Sequence, residues 1–147
     1  MALKEILAAD LKAAMKDKDL IRKNTVQMVR SSILQYEKDN LKELDEDGIL
    51  EVIAKELKKR RDVLPEYEKS GREDLIADIK REIEILLAYL PAQLSDEELT
   101  EIIKKAISET GAESVRDIGK IMQKVMPETK GRADGKKINE IVRNLLS

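Results

Sequence analysis

Cysteine, histidine, phenylalanine and tryptophan are all absent from this 147-residue chain. Each absence removes a class of chemistry. Without cysteine there is no disulfide framework and no thiolate nucleophile. Without histidine there is no imidazole base and no Ser-His-Asp triad, and without both there is no zinc site of the usual ligand types. On these grounds neither a metal nor a cofactor is expected. The aromatic complement is three tyrosines, so the core must be aliphatic and no platform for stacking single-stranded bases can be assembled. No window approaches the roughly 18 apolar residues of a membrane-spanning helix, so no membrane partner is expected. The N-terminal stretch MALKEILAADLKAAMKDKD has acids among its apolar positions and no secretory hydrophobic core. Together with the lack of cysteine, this sets the expectation of a cytoplasmic protein.

What remains is charge and aliphatic periodicity. Charged residues make up 39% of the chain, yet 28 basic side chains face 30 acidic ones, so contact with nucleic acid would have to come from a local patch. Apolar residues recur at helical spacing from end to end, which predicts an all-α fold. Leu3, Ile6, Leu7, Leu11 and Met15 line a first helix. A second, from about Asp19 to Asn40, carries Val26, Val29, Ile33 and Tyr36. LKELDEDG, residues 41 to 48, reads as a loop by its charge and its glycine. A third helix then carries Ile49, Ile53, Leu57 and Leu64, with a kink or break expected at Pro65. Ile76, Ile79, Ile83, Leu87 and Leu90 mark a fourth.

YLPAQLSDEEL, residues 89 to 99, is the clearest boundary: Pro91 stops one helix, and Ser95 with Glu98 forms a capping box that starts the next. It divides the chain into an N-terminal multi-helix subdomain, 1–92, and a small three-helix subdomain, 93–147. In the second part Leu99, Ile102, Ile103, Ala106 and Ile107 form one stripe. Ser114 and Asp117 cap a further helix, which Pro127 is expected to stop. The last helix begins near Asp134 with Ile138, Ile141, Val142 and Leu145 on one face.

Between these last two helices lies GRADGKK, where Lys130, Gly131, Arg132, Asp134, Gly135, Lys136 and Lys137 crowd together. It is not a P-loop: the glycine-to-GK spacing is one residue short, a lysine follows where Ser or Thr is needed, and the preceding element is helical rather than a strand. Gly131 is expected to supply a positive φ angle and Asp134 an N-cap. A cap does not call for four surrounding cations, which oppose the helix dipole; an incoming phosphate would reverse that penalty. From residue 111 onward eight basic side chains, Lys120 among them, outnumber five acidic ones.

GKIMQKVMPETKGRADGKKINEIVRNLL, together with YEKSGREDL, IEILLAYLPAQLSDEEL and ILAADLKAAMKDKD, resembles the YqeY family. Its domain also forms the C-terminal tail of the GatB subunit of the tRNA-dependent amidotransferase. The resemblance spans nearly the whole chain and implies an all-helical fold in two subdomains. It further implies a tail that contacts tRNA while glutamine hydrolysis and transamidation occur elsewhere. A carbon-nitrogen ligase class with glutamine as amido donor accompanies the family, but no residue of this chain supplies independent ligase chemistry. Pro65 departs from the helix former expected at its position.

Two expectations of different kinds follow. One is a non-catalytic module that binds tRNA or another structured RNA through Lys120, Lys130, Arg132, Lys136, Lys137 and the amides near Gly131 and Gly135, capped by Asp134. The other is an adaptor for a protein of aminoacyl-tRNA metabolism, with Gly119, Met122 and Met126 as its groove; close approach of another helix is the expected reason for Gly119. KELKKRRD, residues 55 to 62, reads as a solvated face of ion pairs, with Arg61 differing in that it falls on the apolar stripe, where it would pair with a carboxylate across the interface or mark a polar groove. The many carboxylate pairs read as helix surface, not acid-base machinery.

Overall fold

The computed structural model describes residues 2–147. Seven α-helices and one 3-10 turn account for its regular structure, and no strand occurs among the described residues. The all-α reading holds. The chain divides into two compact units, Met1–Leu90 and Pro91–Ser147.

In the first unit α1 (Leu3–Lys16), α2 (Leu20–Asn40), α3 (Glu46–Ser70) and α4 (Glu73–Leu87) enclose one aliphatic cluster. Leu7, Val26, Val29, Ile49, Ile53 and Leu86 lie at its centre. Fully burying a side chain of this size contributes roughly 1.5–3 kcal/mol, and these few positions anchor the unit. The stripes differ from expectation at their ends. Met15 and Tyr36 face solvent, and Ala14 rather than Met15 continues the buried face of α1. Tyr89 is half-buried, and its hydroxyl donates to the Asp10 carboxylate. Burial and that hydrogen bond push the phenol well above its usual range.

In this unit the extent of the 41–48 loop and a break at Pro65 differ from the sequence expectation, for identifiable reasons. The loop ends at Asp45, not at Gly48, because Asp45 caps α3 by accepting from the Gly48 amide at 2.8 Å. Glu46 and Asp47, which suggested a loop, instead sit in the first turn, where the helix dipole favours acids. Pro65 does not break α3, which runs unbroken to Ser70. The proline lies on the exposed side, so the one carbonyl deprived of its partner is at the edge of water.

A third difference concerns KELKKRRD. Arg60, not Arg61, is the buried cation. Its guanidinium meets Glu56 Oε2 at 2.8 Å and Glu82 Oε1 at 3.2 Å, joining α3 to α4. Lys59 also reaches Glu56, and Lys58 reaches Asp62. Lys58, Lys59 and Asp62 thus form the ion-paired surface that the run's composition suggests.

The second unit comprises α5 (Asp96–Thr110), the 3-10 turn Val115–Asp117, α6 (Ile118–Thr129) and α7 (Gly135–Leu146) around Leu99, Ile103, Ile121, Val125, Ile138 and Val142. Both halves of the Ser95–Glu98 capping box form. Ser114 and Asp117 cap the 3-10 turn rather than α6 directly. Pro127 does not end α6, which continues to Thr129. Buried Thr129 closes it by donating its hydroxyl to the Val125 carbonyl at 3.0 Å. Leu145 is exposed, while Leu146 packs against the core.

Candidate nucleic-acid interface

Gly131 has φ +72°, the left-handed conformation that glycine adopts without steric cost and that lets the chain leave α6 sharply. The Arg132 and Ala133 amides then turn back onto the Thr129 carbonyl, at 2.8 and 3.2 Å. This turn is tied to the segment before α5. Gln93 Nε2 donates to the Gly131 carbonyl at 2.8 Å, and the Leu94 amide donates to the Arg132 carbonyl at 2.9 Å. Arg132 Nε donates in return to the Ala92 carbonyl at 3.2 Å. The PAQLS and GRADG stretches, about 40 residues apart in sequence, thus form one hydrogen-bonded clasp. These bonds also place Ala92, Gln93 and Leu94 with the second unit.

Asp134 caps α7 by accepting from the Lys136 amide at 3.0 Å. Its carboxylate therefore occupies part of the anion-favouring end of that helix. The cations divide into two groups. Arg132 belongs to the clasp, and its charge also acts on Glu98, whose carboxyl is held below the usual range by the Ser95 backbone, the Ser95 hydroxyl and then this guanidinium. Lys137 Nζ stands 3.5 Å from Asp96 Oδ2, in a pair whose carboxylate is largely exposed. Lys130 is exposed as well and, like Asp134, engages a neighbour. Lys136 is exposed, and its side chain has no hydrogen bond or ion pair among the described residues. Lys120 stands apart from the loop, in the first turn of α6 beside Asp117.

Charge balance qualifies the local excess seen in sequence. Over 91–147 ten basic side chains meet ten acidic ones, because α5 brings Asp96, Glu97 and Glu98 in its first turn. Any cationic character of this unit is therefore local, and Lys130, Arg132, Lys136 and Lys137 give it at the start of α7. No acid occupies the first turn of α7, as in α2 and α6, whereas α3, α4 and α5 each have acids there. A Cβ built at Gly135 would meet nothing within 4 Å, so no internal packing requires glycine at that position.

The expected protein groove has a different basis from that foreseen. A Cβ at Gly119 would also meet nothing within 4 Å, so no helix closes on it and the expectation of close approach is withdrawn. Gly119 is exposed, Met126 is 44% exposed, and Met122 packs partly against the core. The three share a helical face. The sequence reading missed Ala92, Gln93, Asp96 and Glu98 as neighbours of the loop. The signal available was that PAQLS and GRADG both carried the family resemblance.

Comparison with known proteins places this geometry in context. The chain is 30% identical, over 92% of its length and 78% of the relative's, to "Altered inheritance of mitochondria protein 41, mitochondrial" of Pyrenophora tritici-repentis. It is 42% identical over 58% of its length to the protein of that name in Kluyveromyces lactis, and 39% identical over 57% to that of Lachancea thermotolerans. It spans about half the length of these latter two relatives, 47% and 46%. Their names overturn the cytoplasmic expectation. That expectation rested on an acid-bearing first helix and the lack of cysteine, which argue against secretion but do not distinguish one reducing aqueous compartment from another. The Yqey-like protein family matches residues 4–146, and the chain belongs to that family.

Proposed function

We propose that this protein is a non-catalytic helical module that contacts the phosphates of structured RNA, tRNA foremost, through the first turn of α7. The observation that carries the reading is the exposed cation at the start of that helix, beside the Asp134 cap. Lys136 is exposed without an internal partner for its side chain, Gly135 has open space where a side chain would stand, and no acid follows the Asp134 cap within the turn. A phosphate there gains both the helix end and the ammonium groups of Lys136 and Lys137. Lys137 is shared with exposed Asp96, a pair of the kind worth about 0–1 kcal/mol, which a phosphate can displace. Arg132 acts mainly by holding the loop, and Lys130 extends the cationic surface.

Fluorescence anisotropy with labelled tRNA tests this reading. The natural chain binds, and Lys136→Ala with Lys137→Ala weakens binding about tenfold or more. Unchanged affinity in the double variant refutes the assignment.

A second reading is supported by the exposed Met126 beside open Gly119, since thioethers suit adaptable protein contacts. Here the module bridges to a protein of aminoacyl-tRNA metabolism, such as an amidotransferase or synthetase. Retention of a partner after nuclease treatment, lost in Met126→Glu, distinguishes it from RNA-mediated association. Amide transfer by the purified chain alone would overturn both non-catalytic readings.

A further inference from the structure

We infer that the groove between α1 and α2 is a docking site for an acidic amphipathic helix of a partner protein. The groove encloses about 370 Å³, with Leu7, Leu11 and Ile33 among its lining residues and Leu34 at its edge. Leu34 is 66% exposed, and Met15, four residues beyond Leu11 on α1, is 56% exposed. Helical spacing carries this strip along both elements: Leu7, Leu11 and Met15 recur every fourth residue on α1, and Arg30 and Leu34 do so on α2. Leu7 and Ile33 are core residues that form the floor, and the first unit leaves Leu34 and Met15 exposed and Leu11 partly so above it.

The charges around the strip have one sign to spare. The lining acid Glu37 is already held by the Lys4 ammonium and by the Leu44 amide. The lining cation Arg30 makes no side-chain hydrogen bond or ion pair among the described residues; neither do Lys12, one turn before Met15 on α1, and Lys23, one turn before the lining Gln27 on α2, which helical register sets beside the strip. An apolar strip bordered by uncompensated cations complements a helix with leucine-type residues at i, i+4 and i+7 between glutamates and aspartates. RNA fits less well, since phosphates gain nothing from a leucine floor. The 14 residues of α1 extend about 21 Å, room for three to four turns of a partner.

The probe is a fluorescein-labelled synthetic helix of about four turns bearing leucines at that spacing and glutamates beside them, with Glu→Gln and Glu→Lys counterparts. The acidic peptide binds the full chain, the Gln peptide binds at least about tenfold more weakly, and the Lys peptide does not bind. Leu34→Ser weakens the acidic peptide about tenfold. The triple change Lys12→Glu, Lys23→Glu and Arg30→Glu does so too, and it gains affinity for the Lys peptide. None of these side chains is buried, so the variants fold, as circular dichroism verifies. Methyl NMR shifts fall on Leu7, Leu11, Met15 and Leu34. The inference is overturned by equal binding of the Glu and Gln peptides, no binding at millimolar peptide, shifts elsewhere, or displacement of the peptide by tRNA or by phosphatidylglycerol vesicles. The RNA reading of α7 stands or falls separately, because its anisotropy assay uses Lys136 and Lys137 variants that leave this groove intact.

Discussion

Arg60 meets Glu56 one turn away on α3 at 2.8 Å, and both side chains lie in the interior of the first unit. The guanidinium does more than neutralise that carboxylate. It also donates to the Glu56 carbonyl at 2.9 Å and reaches Glu82 on α4, so a single cation organises two helices. Removing Arg60 leaves the buried Glu56 carboxylate with Lys59 as its remaining cation and breaks the link to Glu82. Arg60→Ala should therefore destabilise in chemical denaturation by an amount approaching the roughly 3–5 kcal/mol of a fully broken buried pair. Arg61→Ala, at the neighbouring position that the sequence favoured, should stay within about 0.5 kcal/mol.

Glu56 also predicts an acid response. Burial pushes its carboxyl upward, but the Arg60 hydrogen bond, reinforced by Lys59, outweighs that and leaves it below its ordinary value of 4.5. A folded-state value below the unfolded one contributes stability that is present above that ordinary value and is lost as pH falls through the lowered one. Denaturation midpoints should thus decline on acidification below about pH 4.5. Glu56→Gln should be less stable than the natural chain at neutral pH, and the gap should narrow as pH falls. A gap that stays constant with pH would remove Glu56 from this account.

Gly119 gives a prediction of opposite sign. It is exposed within α6 and nothing surrounds its missing Cβ, so Gly119→Ala should stabilise the second unit by about 0.5–1 kcal/mol, read as a rise in its thermal midpoint. Destabilisation would mean that the helix needs glycine there for a reason internal to the fold.

Much of the architecture was legible because helical periodicity and local caps are short-range signals. The Ser95–Glu98 box, the Asp134 cap and the left-handed Gly131 all form as their residue types suggest. Stops and loops were less legible. Pro65 and Pro127 lie within helices, and the acids of DEDG serve a helix start rather than a loop. Tertiary placement settled these cases: an exposed proline leaves its unpaired carbonyl near water. Arg60 could not be chosen over Arg61 from spacing, because the choice depends on Glu82 from another helix. The loop's cations were visible in sequence, but their partners were not. Ala92 and Asp96 are distant along the chain and became relevant only once folding joined the two segments.

Lys136 separates stability from contact. A cation in the first turn of α7 opposes the helix dipole, so Lys136→Glu should raise stability by a few tenths of a kcal/mol while weakening RNA binding. Thermal denaturation and tRNA anisotropy on the same samples check both signs. A variant that lost stability as well as affinity would assign Lys136 a structural role.

The salt dependence of tRNA affinity tests the central claim most directly, because displaced counterions count phosphate contacts. Plotted as log affinity against log salt concentration, the natural chain should give a steep negative slope. Lys136→Ala with Lys137→Ala should flatten it by about two contacts' worth. An identical slope in the double variant, or binding indifferent to salt, would contradict the claim that the first turn of α7 meets RNA phosphates.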